Sequence, residues 1–497
     1  MAGPLYDVFR LIYERMRYYV RSGAESSDEF AADMGILIGD PASPIMWLLF
    51  FSDISIPDLP DDIALDGVTL SHLEQADDIV IFATSAASLQ AKLNAFYKWC
   101  SRNFLQVNKL KSWWMPLGAA PPAIPLFFLG GVSVVLRESQ TYVGLRLSAA
   151  SRNLFAQHAG GKGESVLALS GLIFSLLDRR CLQCPPSVAR TLYRAVIDPH
   201  LTHGCDISPD ASVASVTALE SAQNTYLRKL LRVGKRSSTV ALFSETGIVP
   251  IRYRRADLLL RFLGYLLQCP DEMYVRSALR DSVDLARQGK GSWYSDAQKA
   301  LRQLHEPVQL GFIEDSGEID ALRAAVADSA RAFVAHGLQN STKLVLLKQR
   351  PKEGAFDRAS WGTAPAMASR SYLRLPIPSH RVAITRLLLS DHPLAVERLR
   401  WEKVPHDQRL CRFCHDAVED ETHALLLCNG SPELGALRAT LWGVLHAAHP
   451  DLSRALLVLE PVEILQLLCV HDAALPTFAR FVRDVLEIFS GTAIYRP

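Results

Sequence analysis

The chain has 497 residues, 49% of them hydrophobic, and its 53 Lys and Arg against 52 Asp and Glu leave a net charge of +1. This is enough apolar material for several packed cores in two to four domains, and the balanced charge argues neither for nor against nucleic acid as a whole-chain partner. Nine cysteines, no charged-then-apolar leader in Met1 to Arg10, and no apolar run longer than the Gly-Gly-interrupted Ile124 to Leu136 point to an intracellular protein, nuclear or cytoplasmic. In that setting cysteines serve as thiols and metal ligands, with no membrane span.

Leu5, Val8, Leu11, Ile12 and Met16 recur at helical spacing. Next comes Gly35-Ile36-Leu37-Ile38-Gly39-Asp40-Pro41-Ala42-Ser43-Pro44, followed by the apolar run Ile45 to Phe51. This reads as a glycine loop entering a buried helix, with Ser43 as its side-chain cap and Pro44 in its first turn. Gly67 to Leu73 alternates apolar and polar residues, and Ile79 to Phe82 is β-branched and apolar. Between them Gln75-Ala76-Asp77-Asp78 sets two carboxylates at the tip of a predicted hairpin. Such a pair can hold divalent metal ions, although Asp also favours turns for its own backbone bonding.

Leu89, Leu93, Phe96, Tyr97, Cys100 and Phe104 give one apolar face to a helix from about Ser85 to Phe104. Leu105 to Ser112 then carries Asn108 and Lys111 on a short extended segment, and a lysine there can meet a phosphate as a point charge. Thr141 to Leu147 reads as a strand containing Gly144.

From about Ala149 to Gln268 helical spacing dominates. Between Tyr226 and Arg255 eight basic residues (Arg228, Lys229, Arg232, Lys235, Arg236, Arg252, Arg254, Arg255) face one acid, Glu245. With Tyr226 and Tyr253 interleaved, they form either a phosphate-facing surface or a solvated helix face. Gln339 to Ser371 is rich in Lys, Arg, Gly, Ser and Pro and reads as a linker or long loop, with a domain boundary expected near Ser371.

Beyond it lies Cys411-Arg412-Phe413-Cys414, then eight residues to His423 and four to Cys428. Three thiolates and one imidazole suit a closed, structural Zn2+ site. The i, i+5 separation of His423 and Cys428 fits a short helix that frays at its end. Arg398, Arg400, Lys403, Arg409 and Arg412 give the element a basic approach. A second Cys-x2-Cys, Cys181 to Cys184 with His200, His203 and Cys205 following, offers ligands by type but runs straight into Pro185-Pro186 and a helix. His72 and His380 read as ordinary surface or core histidines.

Taken in order, these motifs resemble the reverse transcriptases of non-LTR (LINE-type) retrotransposons. That family shows a G-x-x-x-G-D-P-x-S-P loop and helix, an aromatic-A-D-D hairpin, an N-x-x-K-[ST] segment and a Y-x-G-x strand before the thumb. The runs Leu192 to Leu201 and Glu245 to Pro250 resemble its thumb, and the Cys-Cys-His-Cys set resembles an element near the C-terminus of many such polyproteins. The resemblance implies an α+β fold. A partial palm (antiparallel sheet with helices) would occupy 1–148, a mostly helical thumb 149–270, a helical connection and linker 271–370, and a zinc-binding domain 371–497. It also implies Asp77 as a Mg2+ ligand with Asp78 beside it, and Gly39, Asp40 and Pro41 shaping the nucleotide and template site. Lys111 would lie near the incoming phosphates, with an RNA template and a DNA primer as partners.

Three departures bear on activity. The family's first catalytic carboxylate sits on an F-x-D-x-x-x-A-[FY] strand before the glycine loop, and this chain carries no such segment; Asp7 lies on a helix-like stretch instead. Gln75 stands where an aromatic is usual, and Ile38 where Gln is common. The expectation is therefore an RNA-directed DNA polymerase fragment with impaired catalysis. The alternative is a non-catalytic nucleic-acid-binding remnant held together by thumb and zinc element.

Overall fold

The computed structural model describes residues 3–31, 35–37, 39–118, 123–149, 153–181 and 183–496. Ile38 lies outside the described residues, as do Leu182 and the side chain of Cys181. The chain divides into two compact units, residues 1–137 and residues 138–497.

The first unit opens on the helix Pro4–Arg15, which carries Asp7. The helix Ser43–Phe51 follows the glycine loop but is not the buried helix expected: only Ser43 and Phe51 are buried, and because its apolar residues lie on all sides of it, Ile45, Leu48, Leu49 and Phe50 are left exposed. Two hairpins come next, Ile63–Leu65 with Val68–Leu70 and His72–Gln75 with Asp78–Ile81. The helix Ala86–Arg102 starts where the Ser85 side chain accepts a bond from the Ser88 backbone N–H. A three-stranded sheet closes the unit, with Val132–Leu136 between Phe127–Leu129 (antiparallel) and Trp113–Trp114 (parallel).

The strands thus form separate small sheets instead of one continuous antiparallel palm sheet. The alternating run is divided at Ser71: Val68–Leu70 turns back on the strand before it, while His72–Gln75 pairs with the strand after it. Two small cores hold the unit together. Phe51, Trp99 and Cys100 gather Trp47, Ile79 and Phe96, and Phe127, Leu129 and Val134 gather Leu89, Leu93, Phe96 and Tyr97. The Gly130 turn passes so close to Tyr97 that an added Cβ would sit 2.2 Å from its ring. Phe104, expected on the buried face, is 84% exposed. The helix ends at Arg102 and Phe104 takes a left-handed φ of 60°, which turns it away from the core.

In the second unit, Thr141 to Leu147 is a hairpin and not one strand. Ser139–Tyr142 pairs with Leu145–Ser148 across Val143 and Gly144, whose φ values of 45° and 77° suit a tight two-residue turn. The predicted helices are present as Ala156–Cys181, Pro186–Leu192 and Val213–Leu231, and helices continue to Leu475–Gly491. One apolar core runs from Ala159 on the first of these to Phe489 on the last. A second gathers around Tyr253, Leu260, Tyr294 and Val326.

Of the two readings of the segment 339–371, the long loop is the one seen, and it is packed as a strap and not strung out as a linker. Leu344, Leu346, Leu347 and Ala355 are buried in the large core. Glu245, fully buried, takes two 2.9 Å bonds from Arg350 and lies 3.7 Å from Arg370. Both sides of Ser371 share one core, so no boundary is seen there. Among the described residues no helix is long and apolar enough to cross a membrane.

Candidate functional site

The acidic hairpin forms as the residue pattern predicts. Gln75 pairs with Asp78, which leaves Ala76 and Asp77 as a two-residue turn, with Ala76 at a φ of 56°. The Trp47 indole N–H donates to the Ala76 carbonyl at 2.8 Å, so the helix after the glycine loop pins the tip. Ile79 roots the second strand in the Trp47, Phe51 and Trp99 cluster. Asp77 and Asp78 are both exposed, as is Gln75.

Gly39 has a φ of 90°, where glycine is favoured. Asp40 Oδ1 accepts from the Ala42 N–H at 3.1 Å, which orders the start of the helix. Ser43 is not the expected cap. It is the first helical residue, and its hydroxyl donates to the Leu37 carbonyl at 2.6 Å, tying the loop shut. Pro41 and Lys111 are exposed. Lys109, which the sequence did not single out, donates to the Gly130 carbonyl at 3.1 Å and lies over the Tyr97 ring.

One charged pair in this unit was missed. Lys92 and Asp62 are both almost fully buried and bonded to each other, and the ammonium also donates to the Phe82 carbonyl at 2.9 Å. It fastens the end of the acidic hairpin to the helix. A lone Lys on an amphipathic pattern looks solvated, so only a partner distant in sequence explains it.

Most of the basic cluster has internal work. Arg255 is buried against Asp210 and the Leu201 carbonyl. Arg252 pairs with Glu220, Arg254 with Asp198, and Arg232 with Asp178. Arg228 is half-buried and donates to the Ser237 carbonyl. Tyr226 and Tyr253 are core residues and not a stacking surface; the Tyr226 hydroxyl donates to the Ala189 carbonyl at 2.7 Å. The helix repeat places these aromatics inward, a direction that a count of charges does not register. Lys229 is half-buried, while Lys235 and Arg236 are exposed on the loop after the helix.

The cysteine set assembles. One ligand atom from each of Cys411, Cys414, His423 and Cys428 lies within 4.8 Å of every other. Cys411 Sγ is 3.6 Å from Cys428 Sγ, and Cys414 Sγ is 3.3 Å from His423 Nε2. A tetrahedral zinc with Zn–S of about 2.3 Å sets its sulfurs about 3.8 Å apart, so the donors fit such an ion and fill all four positions. The first two ligands ride a knuckle in which the His415 N–H bonds the Cys411 carbonyl at 2.9 Å. The i, i+5 spacing is met by a π-helical turn, His423–Leu427, and not by fraying. The Cys428 N–H bonds the His423 carbonyl at 2.8 Å, which returns residue i+5 to the face of residue i.

Supporting contacts fix the ligands. Asp420 accepts from the His423 N–H at 2.7 Å, and Arg438, itself buried, donates to the Cys428 carbonyl. Burial holds His423 below its ordinary pKa, which favours the neutral imidazole a metal needs. Burial pushes the Cys411 thiol up to about 12, so without a cation the site is protonated there. Cys414 is lowered: burial opposes ionisation, but bonds from the Asp416 and Ala417 backbone N–H groups and the Cys411 and Cys428 thiols together outweigh it. His415 is turned away, with its ring bonded to the Arg412 carbonyl and stacked on Tyr495 at 4.0 Å. Gly430 is a further requirement, since a Cβ there would lie 2.6 Å from the Cys414 nitrogen.

The expected basic approach is only partly at the surface. Arg412 is buried on Glu419 and on the Pro393 and Thr492 carbonyls. Arg409 bonds the Val396 and Val404 carbonyls, while Arg398 and Lys403 are exposed. The second Cys-x2-Cys gathers no metal cluster among the described residues. Cys184 and Cys205 are buried thiols there, and His203 stands against His158 instead.

No protein-family profile matches the chain. Over 234 residues, 46% of this chain, it is 22% identical to a probable RNA-directed DNA polymerase from transposon X-element of Drosophila melanogaster. The match spans 25% of that protein's length. This distant similarity relates the chain to the reverse transcriptases of transposons, alongside a Cys3His site able to bind zinc.

Proposed function

We propose that the chain is a portion of a non-LTR retroelement RNA-directed DNA polymerase, with impaired catalysis and a structural zinc. We assign 1–148 (the first unit with the hairpin that follows it) as partial palm, 149–270 as thumb-like, 271–370 as connection and 371–497 as the zinc-binding region, the last three being regions that share one core and not separate domains. The observation that carries the reading is the acidic pair at a hairpin tip, Asp77 in the two-residue turn and Asp78 opening the second strand, braced by Trp47 from the helix that follows the Gly39-Asp40-Pro41 loop. The similarity to a transposon polymerase supports it.

Impairment is supported by what surrounds the pair. Two-metal phosphoryl transfer needs several carboxylates sharing the ions. Among the described residues, only the Cys3His set brings three or more ligand groups together, and Asp77 and Asp78 are not part of it. The hairpin offers part of a Mg2+ site, so no catalytic step is assigned to it. Its carboxylates, with Gly39, Asp40, Pro41 and Lys111, are the residues we expect nearest a template–primer end.

A primer-extension assay with Mg2+, an RNA template and a DNA primer tests this, run beside a binding assay on the same hybrid. We expect salt-dependent binding and no extension. Extension that disappears in Asp77→Ala would overturn the impairment. Absence of any affinity for the hybrid or for a single strand at low salt would overturn the polymerase reading.

A further inference from the structure

The loop Gly234 to Arg236 and the segment Ser390 to Trp401 enclose an open cavity of about 260 Å³, lined by Lys235, Arg236, Asp391, Glu397, Arg398 and Trp401 among others. Its charge is unbalanced. Glu397 is shared by two cations, Lys343 at 2.8 Å and Arg400 at 3.1 Å. Asp391 is held by the Gly234 N–H at 2.8 Å, which fixes the loop that carries Lys235 and Arg236. Among the lining residues three cations (Lys235, Arg236, Arg398) meet two carboxylates (Asp391, Glu397), and Glu397 is already engaged by Lys343 and Arg400 from outside the lining. No acid is paired with Lys235, Arg236 or Arg398 among the described residues.

Arg236 is also set in place. Its guanidinium lies 4.2 Å from the centroid of the Trp401 ring, with Lys343 4.4 Å from the same centroid. A cation–π contact uses the face of the guanidinium and leaves its in-plane N–H donors free. A guanidinium that lines a cavity together with a lysine and a second arginine supplies the charged donors that phosphate recognition uses.

We propose that this cavity is a phosphate-binding site, with Arg236 as the fork and Lys235 and Arg398 as flanking charges. The phosphate belongs either to a nucleic-acid strand laid across the cavity or to a free phosphate compound. The site is independent of the acidic hairpin and stands whether or not that hairpin is catalytic.

The test uses the full, zinc-loaded chain with two probes, inorganic phosphate and a short single-stranded oligonucleotide. Affinities are followed across a salt series in the parent and in Lys235→Ala/Arg398→Ala, with Arg236→Lys as a milder variant that keeps the charge but not the fork. Arg480→Ala, an exposed arginine on a different helix, serves as control. The expected result is at least tenfold weaker binding of one or both probes in the double variant, an intermediate loss in Arg236→Lys, and none in the control. If a strand is the ligand, its log–log salt slope falls by about one per lost contact. Phosphate that binds saturably but does not compete with the strand identifies a free phosphate compound as the ligand. Unchanged affinity and salt slope for both probes in a double variant with parental circular dichroism and melting would overturn the proposal.

Discussion

Replacing Glu245 with Gln should unfasten the strap 339–371 from the large core into which it packs. The carboxylate is 0% exposed, and both its oxygens accept from Arg350 at 2.9 Å while Arg370 lies 3.7 Å away. The amide keeps the shape but leaves two buried guanidinium groups without a counter-charge. Breaking a buried pair in this way costs about 3–5 kcal/mol. The urea midpoint of the full chain should fall accordingly, and trypsin should gain access between Lys348 and Arg374. The pH dependence has a definite sign. Burial raises the Glu245 pKa, but Arg350 and then Arg370 outweigh it and hold the carboxyl below its ordinary value of 4.5. The folded pKa is the lower one, so the stabilisation is complete above pH 4.5 and is lost as pH falls below that value. The gap between parent and variant should therefore narrow in acid. An unchanged urea midpoint with no new cleavage would refute the reasoning and return 339–371 to the status of a linker.

In the first unit, Lys92→Met should strand the buried Asp62 carboxylate and cost about 3–5 kcal/mol. Hydrogen exchange would then rise at Phe82 and along Asp78–Ile81, and Lys92→Met/Asp62→Leu should recover part of the loss. At the cysteine knuckle, Gly430→Ala drives a methyl into the Cys414 backbone, 2.6 Å away. Zinc affinity, read by chelator competition, should drop at least tenfold, about the range for disturbing the surroundings of a metal ligand. Equal affinities would show that the knuckle yields to the methyl.

What could be read from the residues was local. The acidic hairpin, the presence of a helix after the glycine loop and the four zinc donors depend on turn chemistry, periodicity and ligand type, each contained in one short stretch of chain. What could not be read depended on partners distant in the chain. Arg255, Arg412 and Arg350 look like surface charges in sequence, and each is neutralised by an acid brought up by folding. The strap was hidden by its own composition, because its Gly, Pro and Lys mask the buried Leu344, Leu346 and Leu347. The π turn at His423 had no signal except the i, i+5 spacing itself, which an ordinary helix does not satisfy. Similarly, Gly430 reveals its role only through the backbone it passes.

The most direct test of the account is the metal content of the intact chain by native mass spectrometry, for the parent and for Cys411→Ser, His423→Ala and Cys428→Ser. The account predicts one zinc per chain in the parent, lost in each variant, together with loosening of the core that Cys411 and Cys428 help to build. A parent that folds without zinc, or variants that retain it, would contradict the assignment of these four residues as a structural zinc site.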